Sequence, residues 1–381
     1  MRFPEFKEEY DEKLLSDILS RVSKPVKIRE NEKYYQIGIR SHSKGLFYKE
    51  PETGKQIGNK RIFWIEPNCL IVNIVFAWEQ AVSITTEKEI GMVASHRFPM
   101  YKTYDNNLLY VNFFFKTEKG KQLLQMASPG GAGRNKTLNQ DFFLNSKVML
   151  PEEKEQVKIS KMLSLIEQRI ETQIKIIELK QSLIKGIEDR ILWKTTNTQT
   201  KPIREFLTEI NDKSIIQNQY PLLSSTKKGL FLQTDYFNKE AASSNNIGYK
   251  IVHKGDIIIS PQNLWMGNIT YNDKFDNGLV SPSYRIYKVK EEYNAFYISR
   301  ILMSYRALSL YKIISEQGAS IVRRNLNVDA FNELCFPIPN IKKQDEVGLF
   351  LSKLHQELNY ETWILMQLKS QKNYLLNNMF I

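Results

Sequence analysis

Two stretches of this chain share a framework and differ in the side chains that can make hydrogen bonds: "GMVASHRFPMY", Gly91 to Tyr101, and "GLVSPSYRIYK", Gly278 to Lys288. Gly91 matches Gly278 and Val93 matches Val280, but His96, Arg97 and Phe98 stand where the second copy has Ser283, Tyr284 and Arg285. Imidazole, guanidinium and hydroxyl donors suit base edges or phosphate oxygens, with arginine to guanine the strongest such pairing. The amides of Gln80, Gln262 and Asn263, close to the matched Trp78 and Trp265, can read adenine in bidentate fashion. Two basic loops, "PGGAGRNKT" with Arg134 and Lys136 and "EQGASIVRRN" with Arg323 and Arg324, suit phosphate contacts, which position a protein on DNA without reading sequence. Lys44 and Lys228, in the twice-occurring "KGLF", complete the set. Each of these residues is also an ordinary turn or strand residue by type.

Catalytic constellations are harder to find. "GGAGRNKT", Gly130 to Thr137, approaches a nucleotide phosphate loop, but Asn135 stands where glycine must precede the lysine. No "NPPY" motif appears, nor a glycine-rich loop after a first strand. His42, His96, His253 and His355 are scattered without ligand spacing, so no metal site is expected, and His355 should lie exposed on a helix. Glu152, Glu153 and Glu155 read as the charged first turn of a helix, which the helix dipole favours. A degenerate nuclease site of a few carboxylates and a lysine leaves little trace, so a nuclease or modification enzyme with its own site is the alternative function. A two-headed scaffold without a DNA partner is a third.

The elements that must position these residues come in duplicate. "LNQDFFLNSKVMLPEEKEQVKISKML" from Leu138 and "LNVDAFNELCFPIPNIKKQDEVGLFL" from Leu326 align without a gap at an offset of 188 residues, and the tryptophans and the glycine stretches recur at 187. A period near half the chain means two copies of a whole domain rather than a solenoid. Each half reads as β-rich, with "YKIVHKGDIIIS" and "GLVSPSYRIYKV" as strands. A helix follows, about "NAFYISRILMSYRALSLYKIIS" in the second half; its counterpart "NNLLYVNFFFKTEKGKQLLQMAS" is ambiguous, because Val111 to Phe115 also suits a strand.

Each half closes on a long helix with heptads. The first seam runs through Ile159, Leu163, Ile166, Ile170, Ile177 and Ile184, with Gln173 and Lys180 as polar interruptions. The second runs through Val347, Leu351, Leu354, Leu358, Leu365 and Leu368, interrupted at Glu361 and Lys372. Two matched seams supply each other's partner. The first helix climbs roughly 50 Å at ~1.5 Å per residue, and a second domain with its termini close together sends the other helix back, so the pair should be antiparallel with a pseudo-two-fold between halves. Two basic domains on such a rod would span one to two turns of duplex DNA, at ~34–36 Å per turn. Diverged copies would make the recognised site split and asymmetric.

Composition agrees. The 381 residues carry 54 basic and 42 acidic side chains, a net charge of +12, which suits a polyanion. The two cysteines, Cys69 and Cys335, lie in apolar runs and read as buried reduced thiols, which points to the cytoplasm. "MRFPEFKEEYDEKLL" offers no secretory signal, and "CLIVNIVFAW" is too short to span a bilayer, so no membrane is expected.

The order of a variable β-rich domain, a short Pro-containing strand, a charged run ending in Gln and a heptad helix, given twice, resembles the specificity subunit of type I restriction-modification enzymes. Its carriers are Pro151, Glu155 and Gln156, then Pro337, Pro339 and Gln344, the helices that follow and "GLVSPSYR". The second copy departs with "KKQ" before its helix, and the first with "VASH". The resemblance implies an α+β fold of two β-rich target recognition domains joined by two long antiparallel coiled-coil helices. Residues 1–147 would form the first domain, 148–196 the central helix region, 197–335 the second domain and 336–381 the C-terminal helix region. It implies a non-catalytic reader of double-stranded DNA that docks methyltransferase subunits and restriction (translocase-nuclease) subunits. This chain would bind no cofactor; S-adenosylmethionine and ATP with Mg would serve the partners.

Overall fold

The structure is a computed structural model and describes residues 2–104, 106–130, 136–227, 229–236, 245–317 and 324–380. Packing divides the chain into two compact units, Met1–Ile174 with Ile364–Ile381, and Lys175–Trp363. The same elements recur in both. The first unit has a four-stranded antiparallel sheet in the order Leu19–Val22, Met100–Thr103, Leu70–Val72, Val82–Ile84. The second repeats it with Leu207–Ile210, Arg285–Val289, Ile257–Ile259, Ile269–Tyr271. Leu70, Ile71 and Val72, like Ile257, Ile258 and Ile259, are fully buried, which is why these strands are unbroken apolar runs rather than alternating ones. A smaller pair, Ile62–Trp64 with Val93–Ser95, matches Lys250–His253 with Asn277–Val280.

The helical segment expected after each sheet is two helices, not one: Leu108–Phe114 and Glu118–Met126 in the first unit, Ala295–Leu302 and Tyr305–Ile313 in the second. The ambiguous Val111–Phe115 run is therefore not a strand. The restart has a local cause, since Thr117 and Ser304 each cap the following helix by accepting from the backbone N–H of Gly120 and Ala307. Gly120 is required by a close approach: a Cβ there would meet the Phe114 carbonyl at 2.2 Å.

The long repeat has a physical reading residue by residue. Asn139 and Asn327 cap short helices, and Phe143 and Phe331 plug the two cores. Gln156 and Gln344 are buried locks. Gln156 Nε2 donates to the Pro151 carbonyl at 2.9 Å and its Oε1 accepts from Asn107 N–H at 3.1 Å. Gln344 repeats both bonds, to the Pro339 carbonyl at 2.8 Å and from Asn294 N–H at 3.0 Å. The start of each long helix is thereby tied to the strand before it and to the cap of an earlier helix.

The long helices are Glu153–Lys194 and Ile341–Met379. In the first unit Ile159, Leu163, Ile166 and Ile170 pack into the domain core together with Leu375, Leu376, Met379 and Phe380, with Tyr110 and Phe380 rings 4.9 Å apart. In the second, Ile187, Ile191 and Leu192 share a core with Val347, Leu351 and Leu354. Ile177 and Ile184 are buried, and Leu358, Leu365 and Leu368 half-buried. The seam is thus real, and its ends serve as domain core. Three of its polar interruptions are in ion pairs: Lys372 meets Glu167, beside the seam, at 2.6 Å in the first unit, and Lys180 meets Glu361 at 2.9 Å in the second. Within the second unit Lys180 meets Glu361 and Glu188 meets His355, so these two stretches run antiparallel.

Glu153 and Glu155 lie in the first turn of the first long helix, as expected, and Glu155 is also fully buried, held by Arg2 through Nε at 3.0 Å and Nη2 at 2.7 Å. Two expectations are corrected. His355 is partly covered and bonds to Glu188 at 2.8 Å. Of the two free thiols only Cys69 is buried, its pKa pushed up to about 11 by that burial, while Cys335 is exposed. Among the described residues no helix is long and apolar enough to cross a membrane, and no cluster of three or more His, Cys, Asp or Glu could hold a metal ion.

Candidate nucleic-acid interface

In the first unit, the chain leaving the strand Leu70–Val72 makes a tight turn through the 3-10 helix Ala77–Glu79 and closes at Gln80 in the left-handed region, φ 58°. Three other loops hang on this turn by backbone hydrogen bonds. His42 N–H donates to the Glu79 carbonyl at 2.6 Å and Ser43 N–H to the Gln80 carbonyl at 3.0 Å. Ile74 N–H donates to the Arg97 carbonyl at 3.0 Å, and Leu138 N–H to the Ile74 carbonyl at 2.8 Å. Lys44, His96, Arg97 and Lys136, scattered over nearly a hundred residues of sequence, therefore sit on loops fastened to one turn.

Lys44, His96 and Arg97 are exposed. The Lys136 ammonium lies 5.3 Å from the centre of the Trp78 ring, a cation–π distance that holds Lys136 on the turn. Trp78 is itself anchored, its Nε1 donating to the Val75 carbonyl at 3.2 Å.

The second unit builds the same turn from Leu264–Met266, closing at Gly267 with φ 88°. Arg324 N–H donates to the Gln262 carbonyl at 3.3 Å, and the Arg324 guanidinium stacks 4.5 Å from the centre of the Trp265 ring. A basic residue on a matched tryptophan thus recurs. The tryptophans are paired by the repeat, but that each seats a cation is not evident from it; the available signal is an aromatic and a cation 58 residues apart in the first copy and 59 in the second.

Other candidates are engaged internally. Gln80 does not present its amide outward: Nε2 donates to the carbonyls of Phe115 at 2.9 Å and Thr117 at 3.1 Å. Tyr284 packs against a smaller apolar cluster of the second unit, Leu223, Leu230, Val252, Ile258, Val280 and Ile286, and donates its hydroxyl to the Ser225 carbonyl at 3.3 Å. Arg285 is shared between the Tyr287 hydroxyl, at 3.2 Å, and the Glu209 carboxylate. The reason is register: Arg285 is the first residue of a strand paired with Ile259, so it belongs to the sheet rather than to the loop. Gln262 and Ser283 are exposed and Asn263 half-exposed. Arg134, Lys228 and Arg323 lie outside the described residues.

Residues 72–181 match the family described as the Type I restriction modification DNA specificity domain. That span holds the turn, Trp78, His96, Arg97, Lys136 and the Gln156 lock. No curated protein matches the sequence. Among solved structures, the type I restriction-modification system S subunit from M. genitalium superposes with a TM-score of 0.59 at 13% identity, over 100% of this chain and 97% of its own. A chain solved in work on complex assembly and conformational transition of the type I R-M system superposes with a TM-score of 0.59 at 10% identity, over 98% of this chain and 97% of its own. The chain is therefore similar to the specificity proteins of type I restriction-modification systems twice over, in sequence across residues 72–181 and in fold along its whole length.

Proposed function

We propose that this chain is the DNA-reading component of a type I restriction-modification complex, each unit recognising one half of a split, asymmetric duplex site. The observation that carries the reading is the basic residue seated on the matched tryptophan in both units, Lys136 on Trp78 and Arg324, at the head of the strand Arg324–Leu326, on Trp265, beside loops whose outward side chains differ: His96 and Arg97 in one, Gln262 and Ser283 in the other. A shared frame for phosphates with unshared donors is what two half-sites of different sequence require. The chain itself performs no catalysis in this reading. Methyltransferase subunits, and for cleavage restriction subunits, bring the S-adenosylmethionine and ATP chemistry, in the cytoplasm.

Docking of those subunits is supported by the outward faces of the long helices. Leu179 and Leu183 are exposed on the first, and on the second Tyr360 and Trp363 are exposed and stacked with ring centroids 5.9 Å apart. Apolar groups presented away from a filled seam mark a surface that a partner covers. The test has two arms. Exchanging residues 1–147 for the corresponding part of a relative should change one half of the methylated site in the genome and leave the other half intact; a change in both or neither overturns the division of labour. The full chain incubated alone with DNA and S-adenosylmethionine should leave the DNA unmodified, and turnover there would favour a chain with its own catalytic site.

A further inference from the structure

Next to the turn just described lies a second cationic feature, outside the span that matches the specificity family. Thr53 caps the short helix Gly54–Ile57, Gly58 ends it with a positive φ of 61°, and Asn59, Lys60 and Arg61 follow, all exposed. The turn is held at both ends. A Cβ on Gly54 would meet the Arg29 carbonyl at 2.1 Å, and Val26 N–H donates to the Ile62 carbonyl at 3.0 Å. The Arg61 carbonyl accepts from His96 N–H at 3.1 Å, which puts this turn directly beside the His96–Arg97 loop.

Between the turn and residues 25–28 runs a groove of about 500 Å³, lined by Lys55, Lys60 and Arg61 and by one carboxylate, Glu30. None of the three cations has an ion-pair partner among the described residues, whereas cations packed against the long helices, such as Lys116, Lys180, Arg300 and Lys372, are paired. Unpaired cations on a fixed turn, continuous with a basic face, fit a polyanion.

The second unit has no Lys or Arg at the matched sequence positions, residues 240–247. Strand pairing sets Trp64 opposite Val93 and Lys250 opposite Val280, so Arg61 falls on Ile247 and Lys60 on Asn246. Ile247 is exposed, and Asn246 is buried and tied to Asn218 and Gln217. The cations belong to one copy only.

We infer that the Gly58–Arg61 turn is a backbone-phosphate clamp that extends the DNA face of the first unit and has no counterpart in the second. The inference rests on the DNA-reading function proposed above. A phosphate clamp contributes affinity and salt dependence without altering the sequence recognised.

The test uses the full chain and a random-sequence duplex, with affinity measured between about 50 and 200 mM salt. Lys60→Ser with Arg61→Ser should weaken binding roughly tenfold and flatten the slope of log K against log salt by about 1.8, or ~0.9 for each phosphate released. Arg61→Ser alone should give half the slope change, and Ile247→Ser in the second unit none. Both side chains are exposed, and a thermal melt like that of the parent shows that the variants fold. An unchanged slope with wild-type affinity overturns the clamp while leaving the DNA-reading function standing. A wild-type chain that binds no duplex at any salt overturns both. In cells, a changed methylated sequence in the double variant would make Arg61 a base reader and overturn the phosphate assignment.

Discussion

Gln156 and Gln344 occupy the same buried niche in the two units and make the same two hydrogen bonds, to a proline carbonyl and from an asparagine N–H. The polar clusters where the two long helices meet each domain are wired in opposite senses. In the first unit the carboxylate is Glu167 on the first long helix, shared by Lys372 of the second helix at 2.6 Å and Lys116 of the domain at 2.9 Å. In the second, Glu188 receives His355 at 2.8 Å and Arg300 at 2.6 and 3.1 Å. The repeat position of Glu167 is His355, so the helix that closes each domain supplies the carboxylate in the first unit and the imidazole in the second, while both carboxylates stand on the first long helix. Duplication has preserved what fastens helix to domain and left the charge pairing free to drift wherever both partners could change together.

The largest expected effect separates the two clusters. Glu188 is buried, with an arginine in bidentate contact; Glu188→Ala strands Arg300 and should lower the unfolding free energy by about 3–5 kcal/mol. Glu167 is more open to solvent, and Glu167→Ala should cost distinctly less in the same denaturant titration. Equal losses would mean that the exposure difference does not govern these pairs. Next come the locks. Gln156→Ala and Gln344→Ala each leave a buried proline carbonyl and a partly buried asparagine N–H unpaired, a loss of about 2 kcal/mol, with Gln156→Ala slightly the larger because Gln156 Nε2 also donates to Asn106 Oδ1 at 3.0 Å. A large difference would show that the niches are alike in geometry only.

Legibility in the sequence followed the same division. Asn139, Phe143, Pro151 and Gln156 were visible because each does one local job that only its residue type does well, and both copies kept it. The heptads were visible because a seam imposes a period on sequence. What escaped depends on contacts far apart in the chain. Arg2 on Glu155, His355 on Glu188 and the Gln80 amide on the Phe115 carbonyl leave no local pattern. At the interface, loop membership was legible for His96 and Arg97 but not for Arg285, because one residue of strand register decides between the sheet and the loop.

Acid should reveal the two carboxylates together. Burial is the largest influence on each and pushes its pKa up, but it is outweighed by Lys116 and Lys372 at Glu167, and by His355 and Arg300 at Glu188, so both stay below the ordinary carboxylate value. A depressed folded pKa means that the stabilisation is complete above the unfolded value, about 4.3, and is lost as pH falls through the folded one. Stability of the wild type should therefore drop below about pH 4.3, and Glu188→Gln should flatten part of that drop while the Glu167 part persists. A variant with the full acid dependence would remove Glu188 as its source.

The smallest effect concerns the turn at the heart of the interface, where Gln80 stands in the first unit and Gly267 in the second, both left-handed. A side chain in that conformation costs about 1 kcal/mol that glycine avoids. Gln80 offsets the cost with its two amide bonds to the carbonyls of Phe115 and Thr117, which also fasten the turn to the helices behind it. Gln80→Ala loses both bonds and keeps the strain, so it should destabilise by about 2 kcal/mol. Gln80→Gly loses the bonds but relieves the strain, and after the added entropy of glycine in the unfolded chain is counted it should be milder by about 0.5 kcal/mol. In the second unit Gly267→Ala meets only Leu308 at 3.7 Å, ordinary contact, so its cost should be the strain alone. If alanine and glycine at position 80 melt together, the left-handed backbone is not what distinguishes the two turns, and the amide bonds account for Gln80 by themselves.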